Sequence, residues 1–486
     1  MALSKSRLVA AEQCHKRLWF EVHKPDLRII APATQERFNQ GHLLGGVAQD
    51  VFGPGVLIGH QDDLSSAVVA TREALEKPGP VTLFEAAFVH GGVLVRADVL
   101  TRDAQGKYGL IEVKSSTSVK DEHHFDVAIQ CWVIEGAGIP LTSIELAFIN
   151  NKFVYQGDSR YEGLISRQPI DKEVRALLPS IPERVKVAQE VVASSEPQIQ
   201  TGPHCYKPYS CAFYQHCSQD DPVFPVWWIP RISESRLKEL FGRGIRDVAA
   251  IPKDMEFTDN QQRVVDATLE KRIFVDKDSL QSILALPYPR FYLDFETVSF
   301  AVPIWKDTRP YEQLPFQFSC VVESANHDVK TESWLARGQQ PPMRAFAEAL
   351  IRILGEVGPV IVYSGFENTR LKELAGRFTD LAPALEAIRS RLFDLRKPVT
   401  AGYYHPNMVG SYSIKDVLPT VTNDLDYSGL SVVTDGTAAS AAYIKILNES
   451  TSETERKALA KELIHYCNVD AQAMRALCEK LTDLAK

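Results

Sequence analysis

The most constraining stretch of this 486-residue sequence is a pair of apolar runs, GVLVRADVL at 92–100 and YGLIEVKSS at 108–116, joined across the turn RDAQGK. Both read as β-strands, rich in Val, Leu and Ile and bounded by turn residues. Successive side chains of a strand point to opposite faces, so Glu112 and Lys114 share one face while Val113 points to the other. Burying unpaired charge among apolar neighbours is costly, so this pair, beside Asp98 on the preceding strand, calls for a reason. Two carboxylates and a lysine can hold Mg²⁺ or Mn²⁺ while the ammonium orients and polarises an attacking water, the equipment of metal-assisted phosphodiester hydrolysis. An exposed hairpin with a surface ion pair is the alternative the same residues allow.

A chain of this length exceeds one hydrophobic core, so at least two domains are expected. Residues 1–220 read as mixed α/β, with a helix near 34–50, a strand at VTLFEAAFV, a helix at 122–136 and a strand at SIELAFIN. The proline- and acid-rich SQDDPVFPVWWIP marks a boundary, and 221–285 reads as a helical linker. From 286 the order is three strands, a helix, then a strand leading into a helix, which is the order of an RNase H-like sheet. No run approaches the roughly 20 apolar residues of a membrane span. The N-terminal segment carries Glu12 and Glu21 and lacks the apolar run of a secretory signal, so the cytoplasm is the expected compartment. A net charge of −8 argues against coating nucleic acid through bulk charge but permits a local basic groove.

The second domain carries its own carboxylates. RFYLDFET places Asp294 and Glu296 on one face of a strand, Glu367 opens the helix in GFENTRLKEL, and IHYCNVD puts Tyr466 and Asp470 four residues apart, on one helical face. Four carboxylates and a tyrosine suit a two-metal site in which Tyr466 positions the nucleophile. Taken singly, Glu367 is also a common helix-start residue, and Tyr466 and Asp470 could decorate an amphipathic helix. Lys415, in GSYSIKDVLP, meets a phosphate or is solvated.

Of eight cysteines, Cys205, Cys211 and Cys217 cluster in CYKPYSCAFYQHC, whereas Cys14 stands alone in a helical segment. Four thiolates suit an iron-sulfur cluster or zinc, and the spacing does not match the short paired loops of a zinc finger, which favours iron-sulfur. Cys131, on an apolar helix, reads as a buried small residue.

These motifs carry resemblances. SKSRLVAAEQCHKRLWF, the D-(x13)-E-V-K core and the late cysteine triplet resemble the RecB/AddB-type iron-sulfur nucleases, including the CRISPR-associated ones, over the first 220 residues. That resemblance implies a PD-(D/E)XK fold and a structural 4Fe-4S cluster on Cys14, Cys205, Cys211 and Cys217 that clips the two ends of the domain together. It also implies a site role for Gln130. The histidine usual in that family is absent, with Gly45 at its offset from Gly41; either His42 or Glu85 takes its place, or the site is weakened. The acidic motifs from 294 to 470 resemble the DEDDy branch of the DnaQ and RNase D exonucleases, with Glu367 where that superfamily has Asp. Nearly the whole chain resembles a bacterial family of predicted RecB-like nucleases in which LDFET, RPYEQLPFQFS and GFENTRLKEL recur. In that comparison Arg309, Tyr311, Gln313, Phe316 and Gln317 fall after the first exonuclease strand, near substrate or in a structural role.

The expectation is therefore an α/β protein of two domains: an iron-sulfur PD-(D/E)XK domain over 1–220, a linker over 221–285, and an RNase H-like DEDD exonuclease domain over 286–486. The expected activity is Mg²⁺- or Mn²⁺-dependent hydrolysis of DNA, 3′ to 5′ in the second domain, in repair, recombination or defence. An RNase of the RNase D type and a nucleic-acid-binding scaffold with a decayed first site are the alternatives.

Overall fold

Alternation along the first strands decides the first sheet. In the computed structural model, which describes residues 3–30, 32–59, 64–422, 425 and 432–486, Val93, Val95, Ala97 and Val99 are buried and the residues between them are partly exposed. The chain divides into two units, Met1–Asp220 with Phe300–Glu312, and Asp221–Ser299 with Gln313–Lys486. The fold is mixed α/β in both.

In the first unit, helices α1 (Lys5–Gln13), α2 (His15–His23) and α3 (Pro32–Phe52) precede strands β1 (Val81–His90), β2 (Val93–Arg102) and β3 (Tyr108–Lys114). Helix α4 (Asp121–Gly136) then crosses over to β4 (Leu141–Ile149), and β5 (Ile165–Pro169) closes the run. These strands lie in sequence order in one seven-stranded sheet, completed by the short Leu3–Ser4 and Val56–Leu57. β1, β2 and β3 are antiparallel neighbours, whereas β3 and β4 are parallel, as a helical crossover requires. α4 is apolar on most of its circumference and buries Val127, Ile129, Cys131, Val133 and Ile134 in the main core with Leu83, Val95 and Leu146. A helix buried on several sides is a rigid base for the polar side chains it carries.

The second unit has a five-stranded sheet formed by β6 (Arg290–Val298), β7 (Leu314–Glu323), β8 (Val329–Leu335), β9 (Val360–Val362) and β10 (Leu392–Asp394), in the order β8-β7-β6-β9-β10. β7 runs antiparallel to β6 and β8, while β6, β9 and β10 are parallel. β6 is central and buried on both faces, which explains the near-continuous apolar run RFYLDF. Around it lie α5 (Asp259–Glu270), α6 (Met343–Leu354), α7 (Phe366–Arg377), α8 (Gly436–Leu447) and α9 (Glu453–Ala485). α9 starts at Ser452, whose hydroxyl accepts from the Glu455 amide, with Glu453 and Glu455 in its first turn favourable to the helix dipole. Its 33 residues span about 50 Å at 1.5 Å each. Leu459, Leu463, Tyr466, Asp470, Leu477 and Leu481 make one buried stripe, so the four-residue spacing of Tyr466 and Asp470 does put both on the packed face.

Two boundaries differ from the sequence reading. Segment 221–285 is not a detached linker: Leu240, Val248, Val264, Leu280 and Ile283 share a core with Tyr292, Tyr404 and Leu477. Segment 300–312 groups with the first unit, where Ala301 and Val302 pack with Leu44, Ile149 and Leu164, and Gln40 accepts a hydrogen bond from the Ala301 amide. Among the described residues no helix is long and apolar enough to cross a membrane.

Candidate functional site

In the first unit the strand pair and α4 bring four predicted residues together. Glu112 is 1% exposed, and both its carboxylate oxygens are used. Oε1 accepts from Lys114 Nζ and from Lys5 Nζ, each at 2.7 Å, and Oε2 accepts from Gln130 Nε2 at 2.7 Å. The two ammoniums also meet on Asp126 Oδ2, Lys5 at 3.2 Å. Asp98 Oδ2 accepts from the Val113 amide at 2.7 Å. Burial pushes Glu112 up, but the charges of Lys114 and Lys5 outweigh it and hold the carboxyl well below the usual range. Asp98 moves the other way, raised by burial and by the charge of Glu112.

Lys5 and Asp126 were not foreseen. Lys5 lies 107 residues from Glu112, at the start of an unremarkable helix, and the pairing of Leu3 and Ser4 with Val93 and Leu94 helps carry it to the sheet. Asp126 sits one helical turn before Gln130, a spacing that marks it once Gln130 is known to face the site. The two substitutes considered for the missing histidine do not join this group. His42 is exposed, and Glu85, held at φ 58, lies 3.6 Å from Arg96 in an ion pair.

The four singled-out cysteines line one small cavity of about 20 Å³ in the same unit. Cys14 is the extended residue between α1 and α2, so the chain turns at the thiol. Gln13 Nε2 donates to the carbonyls of His204 and Tyr209, at 2.7 and 2.6 Å, tying the end of α1 to the cysteine-rich segment. Phe213, fully buried, packs on Phe20 at 5.4 Å between ring centres. Burial pushes Cys205 and Cys217 up to about 11, and the neighbouring thiols of the same set add to it. Cys131, by contrast, is buried in the apolar core, as read from sequence.

In the second unit Asp294, Glu296 and Asp470 present carboxylate oxygens that all lie within 4.8 Å of one another. β6 supplies the first two by alternation, with Phe295 on the opposite face against Phe346 of α6. α9 supplies Asp470 and, one turn earlier, Tyr466, whose hydroxyl is hydrogen-bonded to Asp470. Glu367, in the first turn of α7, lines the same cleft as Asp294, Tyr466 and Asp470 but stands outside the trio. Its Oε2 is buried with no hydrogen-bond partner among the described residues. Cys467 Sγ donates to Asp294 Oδ2 at 3.2 Å.

Like charges crowded out of water resist ionisation. Burial, with the charge of Asp470, raises Glu296 to about 8, and burial raises Glu367 to about 7. Asp294 is pushed well up by burial and by Asp470, Glu296 and Glu367. Tyr466 is pushed up by burial and by Asp470, so its hydroxyl is a donor at neutral pH. Lys415 tempers Glu296; its Nζ lies 4.8 Å from the centre of the Tyr466 ring and donates to the Thr434 carbonyl at 2.6 Å. Asp435, which caps α8 through the Thr437 and Ala438 amides, adds another negative charge near Glu296. It too was missed, since a capping aspartate 139 residues from Glu296 carries no local sign of a second role.

Comparison with known proteins adds the following. Residues 291–413 match the family described as "Domain of unknown function (DUF2779)". That span contains Asp294, Glu296 and Glu367 and ends before Tyr466 and Asp470. The chain is 27% identical over 209 residues to "Uncharacterized protein MG366 homolog" of Mycoplasma pneumoniae, covering 39% of this chain and 31% of that protein. It is 24% identical over 217 residues to "Uncharacterized protein MG366" of Mycoplasma genitalium (40% and 32%). With "Uncharacterized protein UU173" of Ureaplasma parvum it shares 26% identity over 223 residues (40% and 32%). The chain thus spans about a third of the length of the curated relatives it matches. A solved structure described as "Crystal structure of SSO0001" aligns with 44% of this chain and 84% of its own, at 17% identity and a TM-score of 0.23, a likeness too slight to carry an argument.

In the stretch after β6 most of the singled-out side chains are tied into the fold. Phe316 stacks on Tyr443 at 4.0 Å, and Gln317, fully buried, donates to the Leu463 carbonyl at 2.6 Å. Gln313 accepts from Thr297, the Tyr311 hydroxyl donates to the Ser115 carbonyl, and Arg309 is exposed.

Proposed function

We propose that this protein is a metal-dependent nuclease that hydrolyses phosphodiester bonds of DNA, with an exonuclease site of the DEDDy kind in the second unit and a PD-(D/E)XK site in the first. The observation that carries the reading is the convergence of Asp294, Glu296 and Asp470 within 4.8 Å, in one cleft with Glu367 and Tyr466. The strand order β8-β7-β6-β9-β10, with β7 reversed, supports an RNase H-like fold for that unit.

The residues present fit divalent cations. Hard oxygen donors crowd together, their ionisation is resisted until positive charge arrives, and the Glu367 Oε2 atom is buried without a partner. Asp294, Glu296 and Asp470 would hold Mg²⁺ or Mn²⁺, with Glu367 closing the set. Bound there, the cations supply activation of water and stabilisation of the leaving oxygen. Tyr466 keeps its proton and orients the nucleophile by hydrogen bonding. In the first unit Asp98 and Glu112 would hold the cation, Lys114 orients the water, and Gln130 fixes the Glu112 carboxylate. The four thiols around one cavity fit a 4Fe-4S cluster on Cys14, Cys205, Cys211 and Cys217 that joins α1 and α2 to the segment ending at Cys217, a structural role. Zinc is the competing occupant, and iron-to-sulfur charge-transfer absorption after anaerobic purification separates the two.

The setting we infer is cytoplasmic repair, recombination or defence, with 3′ to 5′ polarity for the second unit. The test is cleavage of 5′-labelled single-stranded DNA, duplex DNA and RNA with Mg²⁺ or Mn²⁺, comparing wild type, Lys114→Ala and Asp294→Ala. Loss of a distinct activity in each variant supports two working sites, and the product ladder gives polarity. Preference for RNA replaces the DNA reading with the RNase D one. A first site that binds but never cleaves makes that unit a scaffold, and no cleavage by the wild type overturns the proposal.

A further inference from the structure

We infer that the cleft of the second unit is a groove for a single nucleic-acid strand, in which Arg231 and Arg396 take backbone phosphates beside the carboxylate trio. This rests on the nuclease reading and adds to it a substrate form and two contacts.

The cleft has a volume of about 1060 Å³, at the upper end of the range for a drug-sized ligand and ample for several linked groups. Its lining is charged. Both signs line it: Asp294, Glu367 and Asp470, and with them Arg231, Arg396 and Lys415. An acidic site that must admit an anion needs compensating cations along the approach, and guanidinium is the group best shaped for phosphate.

The two arginines stand out by what they leave unused. Among the arginines of segment 221–285, Arg236 pairs with Glu239 at 2.7 Å, Arg243 with Glu239 at 3.9 Å and Arg272 with Glu270 at 2.8 Å. Arg263 donates to the Thr400 carbonyl and covers the Phe274 ring, and Arg246 lies over Trp227 and Phe241. Arg231 is exposed, lines the cleft, and has no ion pair or side-chain hydrogen bond among the described residues. The same holds for Arg396, although the nearby Arg389 and Arg391 are both tied to acids or carbonyls. Arg231 also keeps a left-handed backbone, φ 52, that a side-chain-bearing residue adopts at a cost.

Aromatic residues line the same cleft. Tyr363 and Phe366, both half-buried, line the cleft with Tyr412. Exposed cations and aromatic faces lining one cleft are the means by which proteins track a backbone and stack unpaired bases, which favours a single strand over a duplex. Asn260, on α5, accepts from the Tyr412 hydroxyl at 3.3 Å, so the segment first read as a linker supplies part of the groove.

The experiment is fluorescence anisotropy of the full chain with a labelled single-stranded oligonucleotide, in Ca²⁺ to load the site without turnover, over a range of salt. Arg231→Gln with Arg396→Gln should weaken binding at least about tenfold and flatten the slope of log affinity against log salt by about 1.4, roughly 0.7 per lost contact on a single strand. The lysine pair, Arg231→Lys with Arg396→Lys, keeps the charge and should restore the slope, which separates phosphate contact from a folding defect. An unchanged slope in the glutamine pair, equal affinity for duplex, or full competition by a mononucleotide each overturns this groove while leaving the nuclease reading intact. Absence of any salt-dependent binding by the wild type, with no cleavage, removes both.

Discussion

Two carboxylate clusters in this molecule are built by the same device and differ in how their charge is met. In each, a strand contributes acid and a helix contributes more: Glu112 of β3 with Asp126 of α4 in one, Asp294 and Glu296 of β6 with Asp470 of α9 in the other. In the first, Asp98, Glu112 and Asp126 face Lys5 and Lys114, and Glu112 is driven down although buried. In the second, the trio and Glu367 face one another, with Lys415 tempering Glu296, and Glu296 is driven up to about 8. Fold position alone therefore does not set a site's need for metal. The first cluster is largely neutralised by the chain itself, whereas the second holds a surplus of negative charge that a divalent cation would relieve.

The largest effect expected from this contrast is on turnover. Asp294→Asn should lower the second unit's cleavage about a thousandfold or more, because bound metals supply several kcal/mol and each ~1.4 kcal/mol is tenfold in rate. The same substitution should leave the metal-free protein as stable or more stable in a thermal scan, since it removes a repelled charge. Glu112→Gln should do the reverse to stability. Leaving two partly buried ammoniums facing a neutral amide should cost about 3 kcal/mol in urea unfolding. Equal losses of stability in both variants would break the comparison.

The pH dependence should also run in opposite directions. Glu296 and Glu367 are raised, to about 8 and about 7, so the folded state binds more protons than the unfolded one above the ordinary glutamate pKa. Their contribution is present in full below about pH 4 and is lost as pH climbs through 7 and 8. Glu112 is lowered, so its contribution is present above about pH 4 and is lost as pH falls further. Calorimetry without divalent ions should show the second unit's transition falling between pH 6 and 8.5 by a few degrees, with Mn²⁺ restoring more of it at the alkaline end. A flat profile in that range would mean the trio is better solvated than its burial implies.

How much of this was legible follows the reach of local rules. Strand alternation announces Glu112 with Lys114 and Asp294 with Glu296, and helical spacing announces Tyr466 with Asp470, because both periods act within a few residues. Asp98 is read from the neighbouring strand and Glu367 from motif order, while Gln130 and the cysteine set come from the family resemblance; Asp98 meets the Val113 amide, Gln130 the Glu112 carboxylate, and the four cysteines line one cavity. Lys5 and Asp435 were invisible because their roles come from chain closure over 107 and 139 residues. The excursion at 300–312 was hidden for a related reason. WKDTRPYEQ has no period of its own, and the partners of this segment, Leu44, Ile149 and Leu164, lie far earlier in the sequence.

Lys5 offers the finest test of the contrast, with the smallest expected effect. Its ammonium meets Glu112 at 2.7 Å and Asp126 at 3.2 Å, the same oxygens that Lys114 uses, so it adds charge where a cation would otherwise be drawn. Lys5→Met keeps most of the apolar stem and removes the charge. If self-neutralisation is what separates the two clusters, the variant's first site should become more like the second: Mn²⁺ affinity, read by isothermal titration in an Asp294→Asn background, should tighten about tenfold, since a unit charge at this range in a protein-like dielectric is worth a few kcal/mol before screening. An unchanged affinity would mean that Lys114 alone sets the balance and that Lys5 serves to anchor α1 to the sheet, a role that would show as lost stability without any change in metal binding.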